Sequence, residues 1–194
     1  MPTEKLTKAY SLIDSANAKD PNLEQVDGQT VPKELIYGQR MTAMLEKFTP
    51  SAPEALQIAA RAQHICRWEI PRDSYPMDRV GYLKWREELK KYHAKKASEK
   101  LDEVGYDAET IDRVAFLLQK KKLKKDEHSQ TLEDVICLVF LQFYYEDFLP
   151  KHSEEKIIDI LQKTWRKMSE RGHQAALQLS YSEKALDLIQ KALA

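Results

Sequence analysis

Leu132–Phe148, LEDVICLVFLQFYYEDF, is the most hydrophobic segment of the chain. A run this apolar reads as a helix surrounded by protein, so it is expected to be a central core element. Its acids, Glu133 and Asp134, stand at the expected entrance of that helix. Thr131 with Asp134 three positions later also resembles an N-terminal capping arrangement.

Working outward from this segment, helical periodicity dominates. The chain has five glycines and no convincing strand alternation, which predicts an all-α helical bundle forming a single domain over residues 1–194. Helices are expected over about 4–18, with Leu6, Tyr10, Leu12 and Ile13 inward, and over 32–48, opened by Pro32 at a first helical position. A third is expected from Pro53 to Trp68, stopping before Pro71. A long one runs from Val80 to Val104 and closes at Gly105. Others follow over 108–122, 132–148 and 154–168, with a last helix ending near Leu193. Asp14, Asn17, Asp20 and Asn22 cluster at the end of the first helix, where such residues stabilise turns and caps.

Composition narrows the function classes. The 31 Lys+Arg balance 31 Asp+Glu, so nucleic acid is not the expected partner, despite the lysine-rich QKKKLKK at 119–125, which reads as a solvated helix end. Hydrophobic residues make up 42% of the chain, enough for a core. Cys66 and Cys137 lie in apolar runs and are expected to pack as small hydrophobes. The opening MPTEKLTKAY has no signal-peptide pattern, and no apolar run reaches the roughly 20 residues of a bilayer crossing. The expectation is a cytoplasmic protein without a membrane partner; a homo-oligomer is compatible with the sequence.

Chemistry concentrates around Arg61–Trp68, RAQHICRW. The helix read there has no wide polar face, so His64 is expected inside the protein with polar partners. His93 borders the apolar stripe of the 80–104 helix. His64, His93 and Asp134 lie on three helices that each face the core, and two neutral imidazoles with a carboxylate can hold a divalent metal (Mn, Zn, Fe or Mg) with open positions for water and a phosphate oxygen. Glu133 is the candidate further ligand or general base. Arg40, Arg61, Arg67, Arg72 and Arg86 are the candidate phosphate-binding residues, because arginine forks match phosphate oxygens; structural ion pairs with Glu69, Glu87 or Glu88 would explain the same arginines and are the more ordinary role for them. KTWRKMSERGH at 163–173 reads as a solvated helix face with one packed Trp, or as a segment that covers the site or binds a partner.

The order of these residues resembles the HD-type metal-dependent phosphohydrolases, an all-helical family. YGQRM from Tyr37 resembles that family's first motif with Tyr37 at the histidine position. AQHIC resembles its His-Asp motif with His64 kept and Ile65 at the aspartate position, and LEDVICLVFL resembles its final segment with Asp134 kept. The resemblance implies an HD-like core over about 34–148, followed by carboxyl-terminal helices over 153–194, and a metal-dependent hydrolase of a phosphorylated small molecule such as a nucleotide. The replacements at Tyr37 and Ile65 imply the alternative, a ligand-binding or interaction module that kept the helical core after losing catalysis. The whole chain also resembles an uncharacterised family of bacteria and eukaryotes, through SLIDSANAKDPN at 11–22, VPKELIYGQRMTAMLEKF at 31–48, RAQHICRWEIPR at 61–72 and YLKWREELKKYHA at 82–94.

Overall fold

The computed structural model describes residues 2–194. As expected, the fold is all-α, with one small two-stranded sheet. The chain divides into two compact units, Met1–Lys121 and Lys122–Ala194. The boundary falls within the 34–148 span that the family resemblance implied as one core.

In the first unit, α1 spans Glu4–Asn17 behind an N-cap Thr3, whose hydroxyl accepts the Leu6 N–H, and it buries Leu6, Ala9 and Ile13. Next comes a β-hairpin that the helical reading missed: β1 (Leu23–Val26) pairs antiparallel with β2 (Gln29–Pro32). Its two-residue turn, Asp27-Gly28, has positive φ at both positions, 49° and 79°. That geometry matches the right-handed twist of the flanking strands and favours Asp-Gly. The hairpin delivers the chain into α2 (Lys33–Phe48).

The third helix is much shorter than its apolar sequence suggests: α3 covers only Glu54–Arg61. Residues 62–66 form successive turns, Cys66 is left-handed at φ 53°, and a single 3₁₀ turn follows over Arg67–Glu69. RAQHICRW is therefore a buried turn rather than a helix. Ala62 and Ile65 are fully buried in it, so its apolar character reflects burial and not helical periodicity. The long helix α4 runs over Arg79–Val104, between the N-cap Asp78 and the left-handed Gly105, close to its expected bounds. The last helix of the unit, α5 (Ala108–Leu118), packs on both α3 and α4, while α1 packs on α2, α3 and α4.

The lysine run departs from the expected helix end. Beyond Leu118, Lys120, Lys122 and Lys124 all have left-handed φ, between 53° and 69°, so 119–125 is a chain of tight turns.

In the second unit, α6 covers Glu127–Phe143 and Asp126 is its N-cap, accepting the Ser129 N–H. The helix breaks at Tyr144, and the short α7 (Tyr145–Phe148) follows. The single helix expected over 132–148 is thus two, and the first begins a turn and a half early. Three more helices complete the unit: α8 (Glu154–Lys167), α9 (Glu170–Leu177) and α10 (Glu183–Leu193), each opened by a serine N-cap. The core expectation for the apolar segment holds: Leu132, Val135, Leu138, Val139 and Leu141 are buried. In 163–173, Trp165 stacks on His173 with centroids 5.3 Å apart and planes 8° from parallel, and Lys163 pairs with Asp159 on an exposed face.

Candidate functional site

The site begins with the backbone of Glu34. Two polar residues at the end of α1 clamp it: Asp20 Oδ2 accepts its N–H at 3.0 Å, and Asn17 Nδ2 donates to its carbonyl at 3.3 Å. An amide in the first turn of a helix has no partner within that helix, so Asp20 acts on α2 as a cap supplied from a distant part of the chain. Asp20 also accepts the Asn22 N–H, which is the expected turn role. Asn17 reaches further, its Oδ1 accepting the Cys66 N–H at 3.0 Å. These residues are therefore struts between elements as well as turn formers.

With its backbone fixed, the 5% exposed Glu34 places Oε2 3.1 Å from His64 Nδ1 and Oε1 3.7 Å from Arg67 Nη1. One turn later on the same face, Tyr37 lies flat on His64, with centroids 4.0 Å apart and planes within 9°. Gly38 makes this approach possible, because a Cβ at that position would sit 2.8 Å from the Arg61 carbonyl oxygen.

His93 arrives from α4. It is 4% exposed, and its Nδ1 lies 2.8 Å from the Ile65 carbonyl. A carbonyl only accepts, so Nδ1 carries the proton and Nε2 carries the lone pair. By the same reasoning, the Glu34 carboxylate makes Nδ1 the protonated nitrogen of His64. The two rings stand 5.9 Å apart. Ile65, at the position where the resembling family has aspartate, thus contributes its backbone oxygen, while its side chain is in the core. Burial holds His93 down to about 3, with His64 adding to the effect. His64 is also held well below its usual value, first by burial and then by Arg67, Arg86, Lys120 and Lys33. Burial pushes the Glu34 carboxyl up, and Arg67 is the main opposing influence. Both imidazoles are therefore neutral at physiological pH.

The rings line one cleft with Gln63, Leu89 and Leu118, and its cations are Arg67, Arg86, Lys90 and Lys120. Arg86, Leu89, Lys90 and His93 follow the i, i+3, i+4, i+7 spacing of one helix face. The cleft is narrow and partly open, with about 20 Å³ of room for the centre of a water-sized group. Gln63 is 5% exposed, and its Oε1 has no hydrogen-bond partner.

Three of the expected arginines have partners outside the cleft lining. Arg40 pairs with Glu24 at 2.5 Å. Arg61 grips Asp14 through Nε at 2.7 Å and Nη2 at 2.5 Å. Arg72 donates to the carbonyls of Tyr75, Pro76 and Asp78. Of the five arginines, Arg67 and Arg86 line the cleft, and none of the three acids considered as structural partners is the one that Arg40, Arg61 or Arg67 uses.

Asp134 and Glu133 belong to the second unit, where both are buried in α6. Asp134 does not cap its own helix; it accepts the Ser169 N–H at 2.7 Å, the Ser169 hydroxyl at 2.5 Å and Gln130 Nε2 at 3.0 Å, which ties the start of α9 to α6. Glu133 Oε1 is 3.9 Å from Lys167 Nζ. Among the described residues, no group of three or more His, Cys, Asp or Glu side chains could hold a metal ion. The donor set gathered here, two imidazoles with Glu34 committed to His64 Nδ1, does not fit the three-ligand centre expected for a divalent metal.

The sequence reading missed Glu34, Gln63 and Lys90, and it gave Lys120 only a helix-end role. An acid in the first turn of a helix reads as a dipole partner, and a glutamine carries no periodic signal; neither points to a cleft.

No helix is long and apolar enough to cross a membrane among the described residues. No curated protein and no solved structure matches the chain. A family model does, over residues 7–189, nearly the whole length over which the helices and the cleft are built, and the chain therefore belongs to the family described as "Domain of unknown function (DUF4202)".

Proposed function

We propose that the cleft binds a phosphorylated small molecule, with nucleotides among the candidates, and that the chain hydrolyses its phosphoester with His64 as general base. The observation that carries this reading is the Glu34–His64 pair at 3.1 Å beside a cationic rim. A carboxylate on Nδ1 fixes the tautomer, leaves Nε2 to take a proton from an attacking water, and stabilises the imidazolium that forms. The water oxygen bonds to phosphorus, the bond from phosphorus to the ester oxygen breaks, and the departing oxygen takes a proton from solvent. Arg67, Arg86, Lys90 and Lys120 would balance the charge of the phosphoryl oxygens. Burial first, and then Arg67, Arg86, Lys120 and Lys33, weaken His64 as a base in the free protein; a bound phosphate offsets the share of the cations, so the base gains strength when substrate arrives.

The HD-type resemblance of YGQRM and AQHIC supports phosphoester chemistry, and an HD-like core remains part of this proposal. A divalent metal enters it only with ligands beyond the two imidazoles. The two buried free cysteines suit a reducing compartment such as the cytoplasm.

Tyr37 favours a second reading, a binding module without catalysis, because its ring covers one face of His64. Titration with inorganic phosphate and nucleoside monophosphates, paired with an assay of phosphate release, separates the two. Hydrolysis predicts binding lost in Arg67→Ala/Arg86→Ala and release lost in His64→Ala. Binding without release supports the module, and no binding of any phosphorylated compound defeats both.

A further inference from the structure

The cleft combines two kinds of group that one simple anion cannot satisfy together. Arg67, Arg86, Lys90 and Lys120 attract negative charge. Yet three of the residues that line it offer lone pairs: Gln63 Oε1, buried and unpartnered, and the Nε2 atoms of His64 and His93, since each ring commits its Nδ1–H to a fixed acceptor.

A fully deprotonated tetrahedral anion such as sulfate meets the cations but turns oxygen lone pairs toward these acceptors, leaving a buried acceptor unsatisfied. Water supplies donors but no charge. A phosphate that retains a proton supplies both.

We propose that the cleft selects proton-bearing phosphate, either inorganic phosphate that retains a proton or a singly protonated phosphomonoester, with the P–O–H donating to Gln63 Oε1 or His93 Nε2, which leaves His64 Nε2 for water, while the remaining oxygens face the cations. The cleft is narrow but open, with about 20 Å³ of room for the centre of a water-sized group, which suits a single hydroxyl entering it while the other oxygens stay toward the cationic mouth. The selection rests on the phosphate-binding reading above and specifies which form of the ligand is held. Gln63 is a specificity residue here, not a catalytic one.

The test titrates the full chain, at about pH 6.5 and constant ionic strength, with inorganic phosphate, sulfate and methyl phosphate by calorimetry. The expected result is phosphate and methyl phosphate binding at least about tenfold more tightly than sulfate, the factor that one satisfied buried acceptor supplies. Gln63→Leu should reduce that preference to about threefold or less, by weakening phosphate and methyl phosphate binding without weakening that of sulfate; if that variant does not fold, Gln63→Met takes its place, and the wild-type comparison decides on its own. Equal affinity for sulfate and phosphate overturns the selection and leaves phosphate binding standing. Binding of none of the three anions overturns both.

Discussion

The Nδ1–H of His93 donates to the carbonyl of Ile65 at 2.8 Å, joining α4 to the turn that carries His64. The bond closes a loop of 28 residues and is one of several polar ties between α4 and this stretch, with Trp85 donating to the Ile70 carbonyl and Tyr92 to Glu69 just beyond. His93→Phe would keep most of the volume and leave a buried carbonyl without a donor. The expected loss is about 1–3 kcal/mol of unfolding free energy, measured by urea denaturation. An unchanged midpoint would show that the tie carries no stability.

Acid should destabilise the first unit through the same residue. In the unfolded chain a histidine titrates near 6.5, whereas burial holds His93 at about 3. Between these values the unfolded state binds more protons, so stability falls as pH falls through that window and is fully present above about pH 6.5. The limiting slope for one such group is about 1.4 kcal/mol per pH unit. His64 is shifted in the same direction. Denaturation midpoints from pH 7 to pH 4 should decline steeply for the wild type and less steeply for His93→Phe; parallel curves would refute the assignment.

Gly38→Ala should affect stability and the site together. The added Cβ would meet the Arg61 carbonyl oxygen at 2.8 Å, so α3 must move away from α2, and the segment bearing His64 moves with it. The expected cost is about 1–3 kcal/mol, accompanied by weaker phosphate binding. A variant that is destabilised yet binds phosphate normally would show that the cleft does not depend on this approach.

In the second unit, Asp134→Ala should destabilise by removing two accepted hydrogen bonds from Ser169 at the start of α9 and one from Gln130 within α6. The unpartnered Ser169 amide and hydroxyl place the expected loss at about 1–3 kcal/mol. Gly172→Ala should act on the same junction, since its Cβ would approach Asp134 Oδ1 to 2.7 Å. Hydrogen exchange at the α9 amides is the direct measurement, and unchanged protection in both variants would remove the clamp role.

Much of the helical architecture was legible because it rests on local rules. Apolar spacing over 4–17 and 33–48, Gly105 after a long stripe, and the proline at 53 placed boundaries to within a few residues. The Asp27-Gly28 hairpin was also written in the chain, but four-residue strands of mixed burial give too short an alternation to stand out. The segment 62–66 misled for a different reason: a turn buried on all sides is as apolar as a buried helix, and only its hydrogen bonds distinguish the two.

By itself, the sequence determined an all-α chain, a buried 132–141 core and His93 as an interior imidazole, whereas His64, also expected inside, keeps about a quarter of its side chain exposed. Tertiary structure alone decided what those imidazoles do. Glu34 reaches His64 because Asp20 and Asn17 hold its backbone, and Ile65 serves His93 through a carbonyl that no side-chain pattern can report. Asp134 instead binds Ser169, 35 residues further on. Periodicity records which face of an element is buried, but the partner of a buried polar group is fixed only when separate elements pack, and that choice lies outside local spacing.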